Sequence, residues 1–145
     1  MYYNFNRNEC EKIRDYGPEP LVINIDFAAG CNPNYRTAIW TGNYLQVTLM
    51  CIPVGGDIGL ERHEDTDQFI RIEQGCGIVR FGEEKASVRD VQQVNCHDAV
   101  VIPAGTWHNI LNCGNTPLKL YSIYAPPHHP FGTVHKTKQD AQRNE

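Results

Sequence analysis

Between residues 20 and 125 the chain alternates apolar and polar residues with a period of two, the pattern of strands that turn one face toward a core. "LVINIDF" places Leu21, Ile23, Ile25 and Phe27 on one face and predicts a first strand there. "YLQVTLMCI" assigns Leu45, Val47, Leu49 and Cys51 to the apolar face and Tyr44, Gln46 and Thr48 to the other. "FIRI", "GIVRF", "AVVIP" and "LKLYSIY" follow, separated by "TGN", "FGEE", "PAGT" and "NCGNTP", whose Gly, Pro, Asn and Asp content suits tight turns. No segment in this region carries the periodicity of a long amphipathic helix. Eight or more short strands with turns this frequent predict an all-β sandwich, jelly roll or barrel. The first nineteen and last fourteen residues are polar extensions, and the C-terminal one suits a single short helix.

A chain of 145 residues is the size of one domain, so residues 1–145 are read as a single unit. The 13 basic residues form no stripe and the net charge is -4, which argues against nucleic acid or anionic membrane as partners. No signal-peptide pattern opens the sequence and no apolar run is long enough to span a bilayer, so the expected location is the cytoplasm. Six cysteines, scattered without a Cys-x-x-Cys pair, are expected to be free thiols.

Two places break the apolar pattern with groups that carry chemistry. In "LERHE", Glu61 and His63 are two apart and project together from an extended chain. Gln68 then opens "QFIRI" in the same parity as Ile70 and Ile72, which aims its amide at the interior. Burying Glu61 and Gln68 without partners costs several kcal/mol, so a shared cation or a full set of hydrogen bonds is required. The second place is "DAVVIPAGTWHNILN", where His108 shares a face with Ile110 and Asn112. Glu64, Asp65 and Asp67 read as a solvated turn. Trp107, turned by its parity away from His108, reads as core packing, Tyr124 reads as core, and Asn112 reads as the tie of a turn. His128 and His129 in "PPHHP", with His135 beyond, are assigned to a surface or interface.

The spacing of these two units resembles the paired motifs of the cupin superfamily. Gly55, five residues, Glu61, one residue, His63, four residues, Gln68, six residues and Gly75 reproduce the first motif's intervals, with Glu and Gln standing where that motif has His and Glu. His97, five residues, Pro103, one residue, Gly105, two residues, His108, three residues and Asn112 reproduce the second, with only its initial glycine changed. The resemblance covers about residues 42–125 and implies a double-stranded β-helix, a jelly-roll barrel with short N- and C-terminal extensions. It also implies one divalent transition metal held by Glu61, His63, Gln68 and His108. Mixed nitrogen and oxygen donors suit Fe, Mn, Ni, Co or Zn alike.

The function implied is that of a small sugar-isomerase-like cupin: a metal-dependent enzyme of isomerase or lyase type acting on a sugar or keto acid. An Fe(II) dioxygenase and a non-catalytic ligand-binding module are the alternatives. An enzyme is favoured because the chain has no room for a sensor's output domain beside the barrel. Edge strands left by a small jelly roll, and the habit of cupins, imply a homodimer in which residues 20–50 supply much of the interface, with Tyr44 as an anchor.

Overall fold

The period-two segments become strands, and their pairing explains which of their two faces is inside. The computed structural model describes residues 3–5 and 10–143, and residues 1–2, 6–9 and 144–145 of the two polar extensions lie outside the described residues. The described strands are β1 (Tyr3–Phe5), β2 (Leu21–Ile23), β3 (Arg36–Thr41), β4 (Gln46–Ile52), β5 (Asp67–Gln74) and β6 (Cys76–Gly82). They continue with β7 (Arg89–Asn95), β8 (Ala99–Ile102), β9 (Trp107–Asn112), β10 (Leu118–Ala125) and β11 (Val134–His135). Two short helices, α1 (Ile25–Cys31) and α2 (Lys138–Arg143), complete the set, the second on the polar tail as expected.

A six-stranded sheet in the order β11-β3-β4-β10-β5-β8 faces a three-stranded sheet in the order β7-β6-β9, and β1 pairs with β2 in a separate parallel ribbon. Single bridges from Asp57 to Leu111 and from Glu61 to His108 lay the β4–β5 connection along β9. The result is the jelly-roll architecture. Its core is built from Met50, Ile52, Ile70, Ile72, Val79, Val94, Val100, Ile102, Ile110, Leu118 and Leu120. None of the helices among the described residues is long and apolar enough to cross a membrane.

The register grades the barrel interior from polar to apolar. One row across the large sheet is Gln46, Tyr124, Gln68 and Ile102. The next is Thr48, Ser122, Ile70 and Val100, and the third is Met50, Leu120 and Ile72. Partners directly opposite each other share a face, so Gln46, Tyr124 and Gln68 mark the polar end of the interior. This inverts the sequence reading of β4. Its polar face, with Gln46 and Thr48, lies inside the barrel, while Val47 and Leu49 on the opposite face pack against Ala28, Ala29, Ile23 and Ile25.

That second packing corrects the strand expected over "LVINIDF". Only Leu21–Ile23 is strand, and residues 25–31 are helical. Asn24 caps α1, its side chain accepting from Phe27 N at 3.1 Å, and Asp26 sits in the first turn where the helix dipole favours an anion. The helix presents Ala28 and Ala29 to the outer face of the sheet, which small side chains allow to approach closely. The helix also carries Cys31 to a 3-10 turn at Cys10–Lys12. There Cys10 and Cys31 form a disulfide, with Cα atoms 5.6 Å apart. The expectation of six free thiols is therefore wrong for this pair. Cys51, Cys76, Cys96 and Cys113 are free.

Candidate metal centre

The β8–β9 turn organises the polar end of the barrel. Gly105, at φ +86°, donates from its N–H to the His63 carbonyl at 2.7 Å, and Ala104 N donates to Asp67 Oδ1 at 2.9 Å. A turn in the left-handed region favours glycine, and here it fastens the first candidate unit to the second. Asp67, expected to be merely solvated, is thus a structural tie. Glu61 and His108 exchange both backbone hydrogen bonds, at 3.1 and 2.9 Å, so their side chains leave the same face as cross-strand partners. His63 follows two residues on. The segment carrying Glu61 and His63 is not a regular strand; it pairs only at isolated bridges, yet the shared direction read from its parity holds.

Three of the four anticipated ligands meet. Single donor atoms from Glu61, His63 and His108 lie within 4.8 Å of one another. Glu61 Oε1 is 3.7 Å from His63 Nε2 and 3.9 Å from His108 Nε2, beyond hydrogen-bond length. His108 Nδ1 lies 2.9 Å from the Thr106 carbonyl. A carbonyl only accepts, so Nδ1 carries the proton and Nε2 presents its lone pair to Glu61 and His63. Gln68 is buried on the same interior row as Tyr124, with Nε2 donating to Ser122 Oγ at 3.2 Å. Its Oε1, like His63 Nε2 and His108 Nε2, is buried without a hydrogen-bond partner. Three orphaned lone-pair atoms at one end of a barrel are a donor set that fits a cation, because leaving each bare carries a desolvation cost.

These spacings and this barrel decide the family. A cupin-domain model matches residues 48–124. The chain belongs to the cupin family. It is 60% identical over 129 residues to the uncharacterized protein YrkC of Bacillus subtilis (strain 168), covering 89% of this chain and 69% of that protein. It is 43% identical to the uncharacterized protein L612 of Acanthamoeba polyphaga mimivirus, over 78% of this chain and 69% of that one. The crystal structure of BH2720 from Bacillus halodurans, 53% identical, superposes with a TM-score of 0.89 over 90% of this chain and 99% of that chain.

The rim of this cupin's site comes from a segment assigned to the surface on sequence grounds. Gln46, wholly buried at the start of β4, accepts from the backbone N–H groups of His128 and His129 at 3.1 and 2.8 Å and donates to the His129 carbonyl at 2.8 Å. One amide side chain therefore holds the "PPHHP" segment across the mouth of the barrel. The His128 ring lies 4.0 Å from that of His63, and Tyr124 packs against His63, His128 and His129 with centroids 5.2 to 5.7 Å apart. His128 and His129 are thus site-wall residues, and Tyr124 is core and wall together. Trp107, expected to pack in the core, is only half-buried, with Arg62 and Lys85 over its ring. Asn112 ties a turn as read, donating to the carbonyls of Ile52, Pro53 and Thr116.

Electrostatics follow from burial and from one cation that the sequence did not single out. Arg36, from β3, is 4% exposed, and its Nη1 donates to His135 Nδ1 at 3.1 Å. Burial lowers the pKa of His108 and His128, and with Arg36 nearby it holds His129 down to about 2, so these imidazoles stay neutral. Burial pushes Tyr124 up to about 12. At Glu61 burial acts to raise the pKa, but His63, Arg36 and His108 outweigh it and keep the carboxylate ionised. Glu61, Arg36, His128, His129 and His135 border one cavity of about 780 Å³ that opens from the site.

Proposed function

We propose that this cupin holds one divalent transition metal through Glu61, His63, Gln68 and His108 and is an enzyme of isomerase or lyase type acting on a small sugar or keto acid. The observation that carries the reading is the set of partnerless buried donor atoms, His63 Nε2, His108 Nε2 and Gln68 Oε1, around the ionised Glu61. A metal bound there would supply Lewis-acid polarisation of a carbonyl or hydroxyl. The protein's own part is to orient the ligands through the Thr106 carbonyl and Ser122, to exclude water with Tyr124, and to offer neutral His128 at the mouth as a proton acceptor. Metal analysis of protein purified without added metal should give one ion per chain, and assays against aldose, ketose and 2-keto acid panels should give metal-dependent turnover. A chain that takes up no divalent ion at all would defeat the reading.

A second reading is favoured by the composition of the three atoms that converge most closely. Two imidazoles and one carboxylate suit Fe(II) and dioxygen activation. Oxygen consumption by iron-loaded protein on substrate addition would select it over isomerisation. Binding of ligands with no turnover under either assay would leave a binding module.

Assembly belongs to the same proposal. An apolar cleft lined by Leu21, Ile23, Ile25, Ile39, Leu45 and Val47 lies beside Tyr44, which is 83% exposed. A second copy docking over residues 20–50 would cover it, so light scattering should give about twice 16.5 kDa. Cytoplasmic location is tested by fractionation of cells expressing the tagged chain.

A further inference from the structure

Arg36 is a buried cation whose charge is not balanced at close range. Among the described residues no carboxylate lies within 4.0 Å of it, while the other ion pairs of the chain, such as Lys138 with Asp57, are closed. Its contacts are the His135 Nδ1, the Met50 sulfur at 4.0 Å and the face of the Tyr35 ring at 5.3 Å, and its Nε has no hydrogen-bond partner. None of these neutralises a guanidinium. Taking such a charge out of water costs several kcal/mol unless an anion answers it. The register explains where it sits. Arg36 pairs with Met50 on one side and His135 on the other, so it faces the barrel interior in a row that continues through the apolar Met50, Leu120 and Ile72.

The cavity that Arg36 borders has one carboxylate among its described lining residues, Glu61. If Glu61 is spent on a metal, as proposed above, no other carboxylate among the described lining residues offsets Arg36, and burial holds His128 and His129 neutral. We propose that Arg36 is the anchor for the carboxylate of the substrate, which makes the ligand a small organic acid in place of a neutral sugar. The guanidinium presents a planar fork of donors that matches a carboxylate. A phosphate is a poorer match, since the second cation at this cavity, Lys138, is engaged by Asp57 and neither a glycine-rich loop nor a long helix start faces Arg36. This inference rests on the metal-site reading for the orientation of the acid, but the anion subsite itself does not need the metal.

The test is calorimetric binding of pyruvate and of its uncharged ester, methyl pyruvate, to Mn(II)-loaded and metal-free protein. Wild type should bind pyruvate at least about tenfold more tightly than the ester. Arg36→Met should weaken pyruvate by roughly 10- to 100-fold and leave the ester and the metal content unchanged. Arg36→Lys, which keeps the charge and loses the fork, should fall between, and it carries the comparison together with Arg36→Gln if the Met variant does not fold. His108→Ala separates the two ideas. Pyruvate binding that persists there and still depends on Arg36 supports the anion subsite even if the metal reading fails. Equal binding of acid and ester, an Arg36→Met variant that binds pyruvate like wild type, tighter binding of inorganic phosphate than of pyruvate, oxalate or malonate, or no binding of those acids at 10 mM would each overturn it.

Discussion

His108 reaches the site from within a strand that is paired along its length with β6, whereas Glu61 and His63 reach it from a connection that touches β9 at two isolated bridges. The first unit is therefore placed by the second: Glu61 is aligned by two backbone bonds to His108, and His63 is held by the Gly105 N–H. The difference teaches where precision in this site comes from. A regular strand can bring one imidazole to a fixed place. A second and third candidate ligand are added by draping an irregular segment over it, with the β8–β9 turn as the fastener.

The largest effect expected from breaking this arrangement is on metal uptake. His63→Ala and His108→Ala should each abolish binding, with the fold retained by circular dichroism, because both side chains contribute orphaned atoms and no internal hydrogen bonds to their partners across the site. Gln68→Ala should only weaken uptake, since an amide oxygen is a weak donor and its Nε2 is already engaged by Ser122. Equal loss in all three variants would mean that the amide ranks with the imidazoles.

Next comes the packing beneath the two units. Ile110 sits two residues after His108 on β9, wholly buried in the main core, and Ile58 lies in the connection, also buried in that core. Ile110→Ala should cost about 4 kcal/mol and Ile58→Ala about 2 kcal/mol in urea unfolding, because a loosely paired segment can relax toward the space left and a paired strand cannot. Costs in the reverse order would show that the connection, despite its few bridges, is the stiffer half.

Acid should act on the rim before it acts on the rest. The folded state holds His108 and His129 neutral, so below about pH 6.5 the unfolded chain takes up protons that the native chain refuses. Stability is thus full above that value and falls progressively as the pH drops, and Glu61, with its lowered pKa, adds a loss of the same sign below about pH 4.5. Urea midpoints at pH 8, 6.5 and 5 should decline in that order, and His129→Asn should flatten the decline. A midpoint that rises on acidification would contradict the burial of these rings.

The same contrast explains what could be read from the sequence. His108 was legible because strand parity and the Pro-x-Gly-x-x-His spacing both reported it, and Glu61 and His63 because two residues in an extended segment share a direction whether or not the segment is a strand. The inward face of β4 was misread. Alternation tells which residues share a face but not which face is covered, and α1, hidden in an alternating run behind an Asn cap, covers the apolar one. Arg36 and the His128–His129 rim left no local signal. An arginine in "YRTAIW" looks like an exposed strand residue, and only the Gln46 amide, distant in sequence, draws "PPHHP" over the site.

The smallest expected effect concerns two left-handed positions in the better-built unit. Gly105 and His97 both have positive φ, +86° and +78°, and His97 occupies the place where the second cupin motif starts with glycine. A side chain with a Cβ in this region pays roughly 1–2 kcal/mol of local strain. Gly105→Ala meets no atom within 4 Å, so strain alone should operate, and the variant should lose about 1 kcal/mol with some slackening of metal affinity through His63. His97→Gly is the mirror experiment. The His97 N–H donates to the Ile72 carbonyl at 2.8 Å, a bond that glycine keeps, and the ring is exposed, so little packing is lost. Relief of strain opposes the extra freedom that glycine gives the unfolded chain, about 0.4–1 kcal/mol, and the balance should be a gain of about 0.5 kcal/mol in urea unfolding. A clear loss at His97→Gly would mean that the imidazole contributes through a contact, with Glu73 a charged group it influences, and that the turn tolerates histidine for that reason.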